Sequence, residues 1–145
     1  MDLWSLKARV AVAAALLLGW FASLFLPVVT TTGTNGEQHF KGLNILALGW
    51  LGPLQGHTGW FANPLLAAVV GLLLISGPAV SQGTLNWLSV AMALFVLNSA
   101  FWFSLTDSVG VQRILERGPG YFLWMAVMAA CLVWMQLLYH APGRG

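Results

Sequence analysis

Long apolar runs broken by short polar interruptions organise this chain, and the spacing of the breaks sets out its elements. Behind a polar flank holding Trp4, Lys7 and Arg9, the sequence is apolar from Val10 to Val29, and further apolar stretches cover 58–77, 85–105 and 121–139. A helix rises about 1.5 Å per residue and a bilayer's hydrocarbon layer is about 30 Å thick, so runs of about 20 residues predict four membrane-spanning helices. The first run is longer than the core of a secretory signal, and Trp20-Phe21-Ala22 lacks a small-x-small cleavage site, so it reads as a retained helix. Pro27 ends it, because the proline ring removes an amide donor and biases the preceding residue toward extended geometry. Asn63-Pro64 in the second run reads either as an N-cap followed by proline or as a kink in a longer helix. A helix from Pro64 to Gly77 would reach only about 21 Å, which favours a kinked helix from about residue 58.

The longest interruption, Val28 to Pro64, carries the most local information. Two β-favouring runs flank Asn35-Gly36, a preferred centre for a two-residue hairpin turn because both positions take positive φ at low cost. The apolar, Trp-bearing run from Leu43 to Leu51 predicts a short helix lying in the headgroup layer, ended by Gly52-Pro53. The second exposed connection, 106–120, leaves open a strand beside the hairpin or an amphipathic turn. Alternation of four spans puts both connections on one side, where 28–57 and 106–120 form a small outer cap. The expected fold is therefore an all-α integral membrane protein, a four-transmembrane-helix bundle with a β-hairpin-containing cap between helices 1 and 2, in one domain over 1–145. In layout it resembles the claudin-like tetraspan proteins, although the Gly-Leu-Trp motif and loop cysteine pair of that family are absent from this sequence.

Composition supports the membrane reading and narrows the chemistry. The chain is 59% hydrophobic and only 7% charged, whereas soluble domains have about 25% charged residues. Its six basic residues are scattered and leave no nucleic-acid footprint. Lys7, Arg9 and Arg144 on the terminal side balance Lys41, Arg113 and Arg117 on the other. Because the first span usually dominates, Lys7 and Arg9 favour both termini in the cytoplasm of a bacterial-type inner membrane. Trp4 and Trp87 then fall near the inner boundary, and Trp50, Trp60, Trp102 and Trp124 near the outer one.

Few residues point to chemistry. No charged residue or histidine lies in the middle of any span, as proton relays and ion-coupled carriers would require. No nucleotide loop, zinc cluster or nucleophile elbow is present, so no catalysis and no cofactor are expected. His39, His57 and His140 read as ordinary polar histidines, and Met92, Met125, Met128, Cys131 and Met135 as adaptable core filler rather than Cu(I) ligands. Ala11, Ala15, Gly19 and Ser23 form a small-residue ridge on the first helix, with Ala67 and Gly71 a shorter one on the second and Ala126 and Ala130 another on the fourth. These ridges read as internal packing or as docking for a partner's helix. Asn98 and Ser99 are intramembrane polar residues, read as glue between helices or as a contact to lipid or quinone.

The function expected is that of a non-catalytic accessory or partner-binding subunit. Its contact residues are Asn35, Gly36, His39, Phe40, Trp50 and Trp60, and its partners are membrane lipid together with another membrane protein or a second copy. Competing readings are a small transporter or channel for an uncharged or lipid-like solute, a quinone- or haem-binding redox subunit and, more narrowly, an immunity protein.

Overall fold

The computed structural model describes residues 4–33, 36–107 and 110–141. Helix α1 (Leu6–Phe25) leads into strands β1 (Pro27–Gly33) and β2 (Gly36–Lys41). Helix α2 (Gly42–Leu48) follows and passes into a 3-10 segment, Gly49–Gln55. A second 3-10 turn, Gly59–Phe61, opens helix α3 (Ala62–Ile75), and α4 (Gln82–Ala100) runs back. Strands β3 (Ser104–Asp107) and β4 (Gly110–Arg117) then precede α5 (Pro119–His140). The long helices alternate in direction. The start of α1 lies beside the end of α3, the start of α4 beside the end of α5, and the sheet crowns the other end.

The chain is mostly helical, and two findings bear on the expected architecture. First, it is not all-α beyond one hairpin: the two connections form one antiparallel sheet in the order β2-β1-β4-β3. The hairpin left β1 with an unpaired edge of backbone donors and acceptors, and β4 fills it with Val29 opposite Arg117 and Thr31 opposite Ile114. Second, the described residues form five α-helices, of which α1, α4 and α5 are long and apolar enough to cross a membrane. The helical stretch Gly59–Ile75 is apolar but shorter.

Smaller boundaries also move. Helix α4 stops at Ala100, because residues 104–107 pair with β4 instead of extending the helix to 105. Pro64 is the third residue of α3, in the first turn, where a missing amide donor costs little, so no kink is needed. Asn63 is inside that turn and not its cap. The segment after α2 runs through Gly52-Pro53 and ends at Gly56, whose φ of 80° breaks the winding. In the hairpin, Gly33 pairs with Gly36, so Gly36 opens β2 instead of sitting at the turn's centre; its φ is 117°. Asn35 lies outside the described residues.

The core runs along the bundle axis through Leu66, Leu73, Leu85, Met92, Met128 and Leu138, all essentially inaccessible. Cys131 and Met135 are buried among them, whereas Met125 belongs to a second cluster with Val28, Val29 and Tyr121 under the sheet. The sulfur series is therefore split between two packed regions.

Candidate binding site beneath the sheet

Polar side chains fix the ends of the helices, and the first of them is at the terminal end. The last carbonyls of a helix lack partners within it, and α3 has no basic residue in its last turn. Arg9, on the first turn of α1, supplies the missing donors. Its Nη1 donates to the carbonyls of Leu73 and Leu74, and its Nε to that of Trp4 at 3.0 Å. Arg9 is 8% exposed, and Gly77, with a φ of 50°, leaves the room its guanidinium occupies, since any Cβ there would collide with it.

At the sheet end polar side chains hold the helices at three further places. Helix α4 also lacks a basic residue in its last turn, and Arg117 of β4 donates to the carbonyls of Ala100 at 2.9 Å and Trp102 at 2.8 Å. Its guanidinium lies over Tyr121 at 5.0 Å and Phe103 at 5.4 Å. The first amides of the turn that opens α3 are not capped by Thr58, the residue placed to do so. Asn98 of α4 does it from outside, its Oδ1 accepting from the Thr58 and Gly59 amides at 2.8 and 3.1 Å. Asn63 joins three helices: its Oδ1 accepts from the indoles of Trp20 on α1 and Trp124 on α5, both at 2.8 Å, while its own amide donates to the Trp60 carbonyl at 3.0 Å.

These bonds frame a cavity of about 110 Å³ between the helix ends, the underside of the sheet and the 42–55 segment. Trp60, Trp102, Trp124 and Tyr121 supply aromatic walls, and Val28, Ile45, Leu46, Leu51 and Leu105 aliphatic ones. Asn63, Asn98, Ser23, Ser99, Ser104 and His57 are its polar lining, and among the described residues no charged side chain lines it. His57 lies 3.5 Å from the Ser104 hydroxyl. The Ser99 hydroxyl turns back to the Phe95 carbonyl, and its own carbonyl accepts from Tyr121 at 3.0 Å. Such a lining suits a neutral, mainly apolar molecule; among the described residues no group of three or more His, Cys, Asp or Glu could hold a metal.

The residues singled out from sequence are dispersed. Trp60 lines the cavity and donates to the Leu46 carbonyl at 2.9 Å. Asn98 and Ser99 line it too, so this polar pair meets Trp60, one of the expected contact residues, at the cavity. His39 is on exposed β2, 3.0 Å from Thr30, Phe40 is half-buried under the sheet, and Trp50 is 59% exposed on the 42–55 segment. The ridge on α1 divides: Ala11 and Ala15 are exposed, Ser23 is buried, and Gly19 abuts Val127, where a Cβ would come within 2.8 Å. Ala67 is exposed and Gly71 half-buried, with nothing near enough to meet a Cβ at Gly71. His140 stacks edge-on with Tyr139.

Sequence reasoning missed Asn63 as a hub and both arginines as caps. The available signals were the absence of basic residues in the last turns of α3 and α4 and an Asn-Pro pair opening an apolar run. Compared with known proteins, the chain matches no family model, no curated protein and no solved structure.

Proposed function

We propose that the chain is a four-span membrane protein of the bacterial inner membrane, with both termini cytoplasmic. It acts without catalysis of its own, as an accessory subunit that binds a membrane partner through its sheet end. The observation that carries this reading is the distribution of bonded and open surface. Arg9, Asn63, Asn98 and Arg117 are committed to holding helix ends, while the 42–55 segment beside the cavity leaves Leu43, Leu48, Trp50 and Leu54 open, Leu54 at 84%. In the proposed orientation that apolar edge lies at the outer membrane boundary, where a partner's helix would meet it. The stretch Gly59–Ile75 completes the four spans: at about 25 Å it falls slightly short of a full hydrocarbon layer, which local thinning accommodates. Two of the six basic residues are helix caps, Arg9 on one side and Arg117 on the other, so removing them from the charge balance leaves it tied and the orientation to Lys7.

Purification in mild detergent tests the reading. A stoichiometric second polypeptide or a defined homo-oligomer is expected, lost in a Trp50→Ser, Leu54→Ser double variant that unfolds at the same temperature as the parent. Liposomes containing the pure chain should conduct no solute. A solitary monomer, or solute flux, would replace this reading with that of a small transporter. Orientation is checked in a Cys131→Ser background: a cysteine at Glu37 should react with an impermeant reagent on intact cells, and one at Thr84 only after permeabilisation.

A further inference from the structure

The hydrogen-bonding capacity of the two asparagines in the cavity lining is one-sided. Asn63 Oδ1 is filled by two indoles and Asn98 Oδ1 by two backbone amides, and a carbonyl oxygen offers two lone pairs, so neither side chain has acceptor capacity left. Each amide nitrogen carries two N–H groups, and each uses one, Asn63 on the Trp60 carbonyl and Asn98 on the Gly56 carbonyl. The remaining donors belong to a lining that also holds indole and phenol rings and, among the described residues, no charge. A charged guest would be desolvated there without a counter-charge, and a donor-rich guest would find neither asparagine oxygen open to receive it. A guest with acceptor oxygens on a flat apolar ring satisfies both demands, because aromatic walls pack best against another ring. The volume, about 110 Å³, is of the order of an apolar cavity that takes benzene, about 150 Å³, which limits the buried part to a single six-membered ring.

We propose that this cavity binds a neutral para-quinone-type ring, its carbonyl oxygens accepting from the spare amide N–H groups of Asn63 and Asn98. An apolar tail would leave along the exposed leucines of the 42–55 segment. The proposal concerns binding alone. It deepens the reading of the sheet end as the working part, but it needs neither the partner nor the orientation.

Equilibrium dialysis of the full-length chain in detergent against a decyl-substituted 1,4-benzoquinone, corrected with empty micelles, tests it. Cys131 is fully buried and gives the probe no accessible thiol. Saturable binding of one molecule per chain is expected. Decylbenzene, which has the ring without carbonyls, and dioctanoylglycerol, which has carbonyls without the ring, should each displace the probe at least tenfold less effectively than unlabelled quinone. Leu51→Trp, which fills the cavity and disturbs no hydrogen bond, should weaken binding at least tenfold with an unchanged unfolding temperature. Equal displacement by dioctanoylglycerol would overturn the proposal in favour of an ester lipid, and equal displacement by decylbenzene would remove the role of the amides. Undiminished binding by the Leu51 variant would take the ligand out of this cavity. A chain that holds its partner yet binds no quinone sinks this inference alone; quinone binding by a solitary monomer sinks the accessory reading alone.

Discussion

Arg9 at the terminal end and Arg117 at the sheet end each donate to the last carbonyls of a helix that has no basic residue in its own final turn, yet they are housed differently. Arg9 is 8% exposed, carried by the first turn of α1, and fitted against a glycine that leaves it room. Arg117 is half-buried, carried by a strand, and bounded by the ring of Phe103, itself 63% exposed. Both meet the same need, the partial negative charge and open carbonyls at a helix C-terminus. The difference teaches where the molecule tolerates slack. At the terminal end the cap ties helix to helix with nothing between them. At the sheet end it ties helix to strand beside a cavity.

The largest break in this comparison should come from Arg9→Met. It leaves the Leu73 and Leu74 carbonyls buried without a donor, and bonds to a charged group contribute about 1.5–3 kcal/mol each, so a loss of about 2–3 kcal/mol is expected in a denaturing-detergent titration. Arg9→Lys should restore less than half, because an ammonium cannot span Trp4 and α3 as the fork does. Full rescue by lysine would mean that charge alone matters there.

Asn63→Leu comes next, at about 1 kcal/mol, since it removes two interhelical bonds that average about 0.6 kcal/mol each in a bilayer protein. Tryptophan emission should shift as the Trp20 and Trp124 indoles lose their common acceptor. An unaltered spectrum would disprove the three-helix junction. Arg117→Met should cost less than about 1 kcal/mol, because water reaches the site and replaces part of what is lost. A loss as large as that at Arg9 would erase the distinction between the two ends.

The smallest global effect is expected from Gly36→Val, which puts a β-branched residue at positive φ. Strain at the rim of an antiparallel pair opens the pair locally before it reaches the bundle. Exchange of the β1 and β2 amides should quicken about tenfold, with the bundle's unfolding midpoint unchanged. A shifted midpoint would show that the sheet carries global stability.

What was legible in the sequence was local or periodic. The long apolar runs gave α1, α4 and α5, Pro27 ended α1 where β1 begins, and the β-favouring runs about Gly36 gave the first hairpin. What was hidden depends on partners far apart in the chain. Arg9 looked like a flanking charge because its acceptors lie 64 residues away. Asn63 looked like a cap because its donors, Trp20 and Trp124, are on two other helices. The β3–β4 hairpin was left undecided because Gly110–Arg117 has mixed polarity, and the unpaired edge of β1 is what makes it a strand. In the candidate site, Asn98, Ser99 and Trp60 were noticed for their polarity or amphipathic character, but the cavity that unites them arises from the crossing of elements no single stretch encodes.

The pairing of β1 with β4 also sets an order of assembly. The buried Thr31 and Gln112 side chains meet across 81 residues of sequence, and β1 cannot acquire its second neighbour until α3 and α4 have been made. Contacts so distant in sequence close late. During synthesis the first hairpin therefore waits with one bare edge, and the chamber beneath it has no roof until the fifth helix begins. A nascent chain stalled before Gly110 would lack β4, and with it the second neighbour of β1.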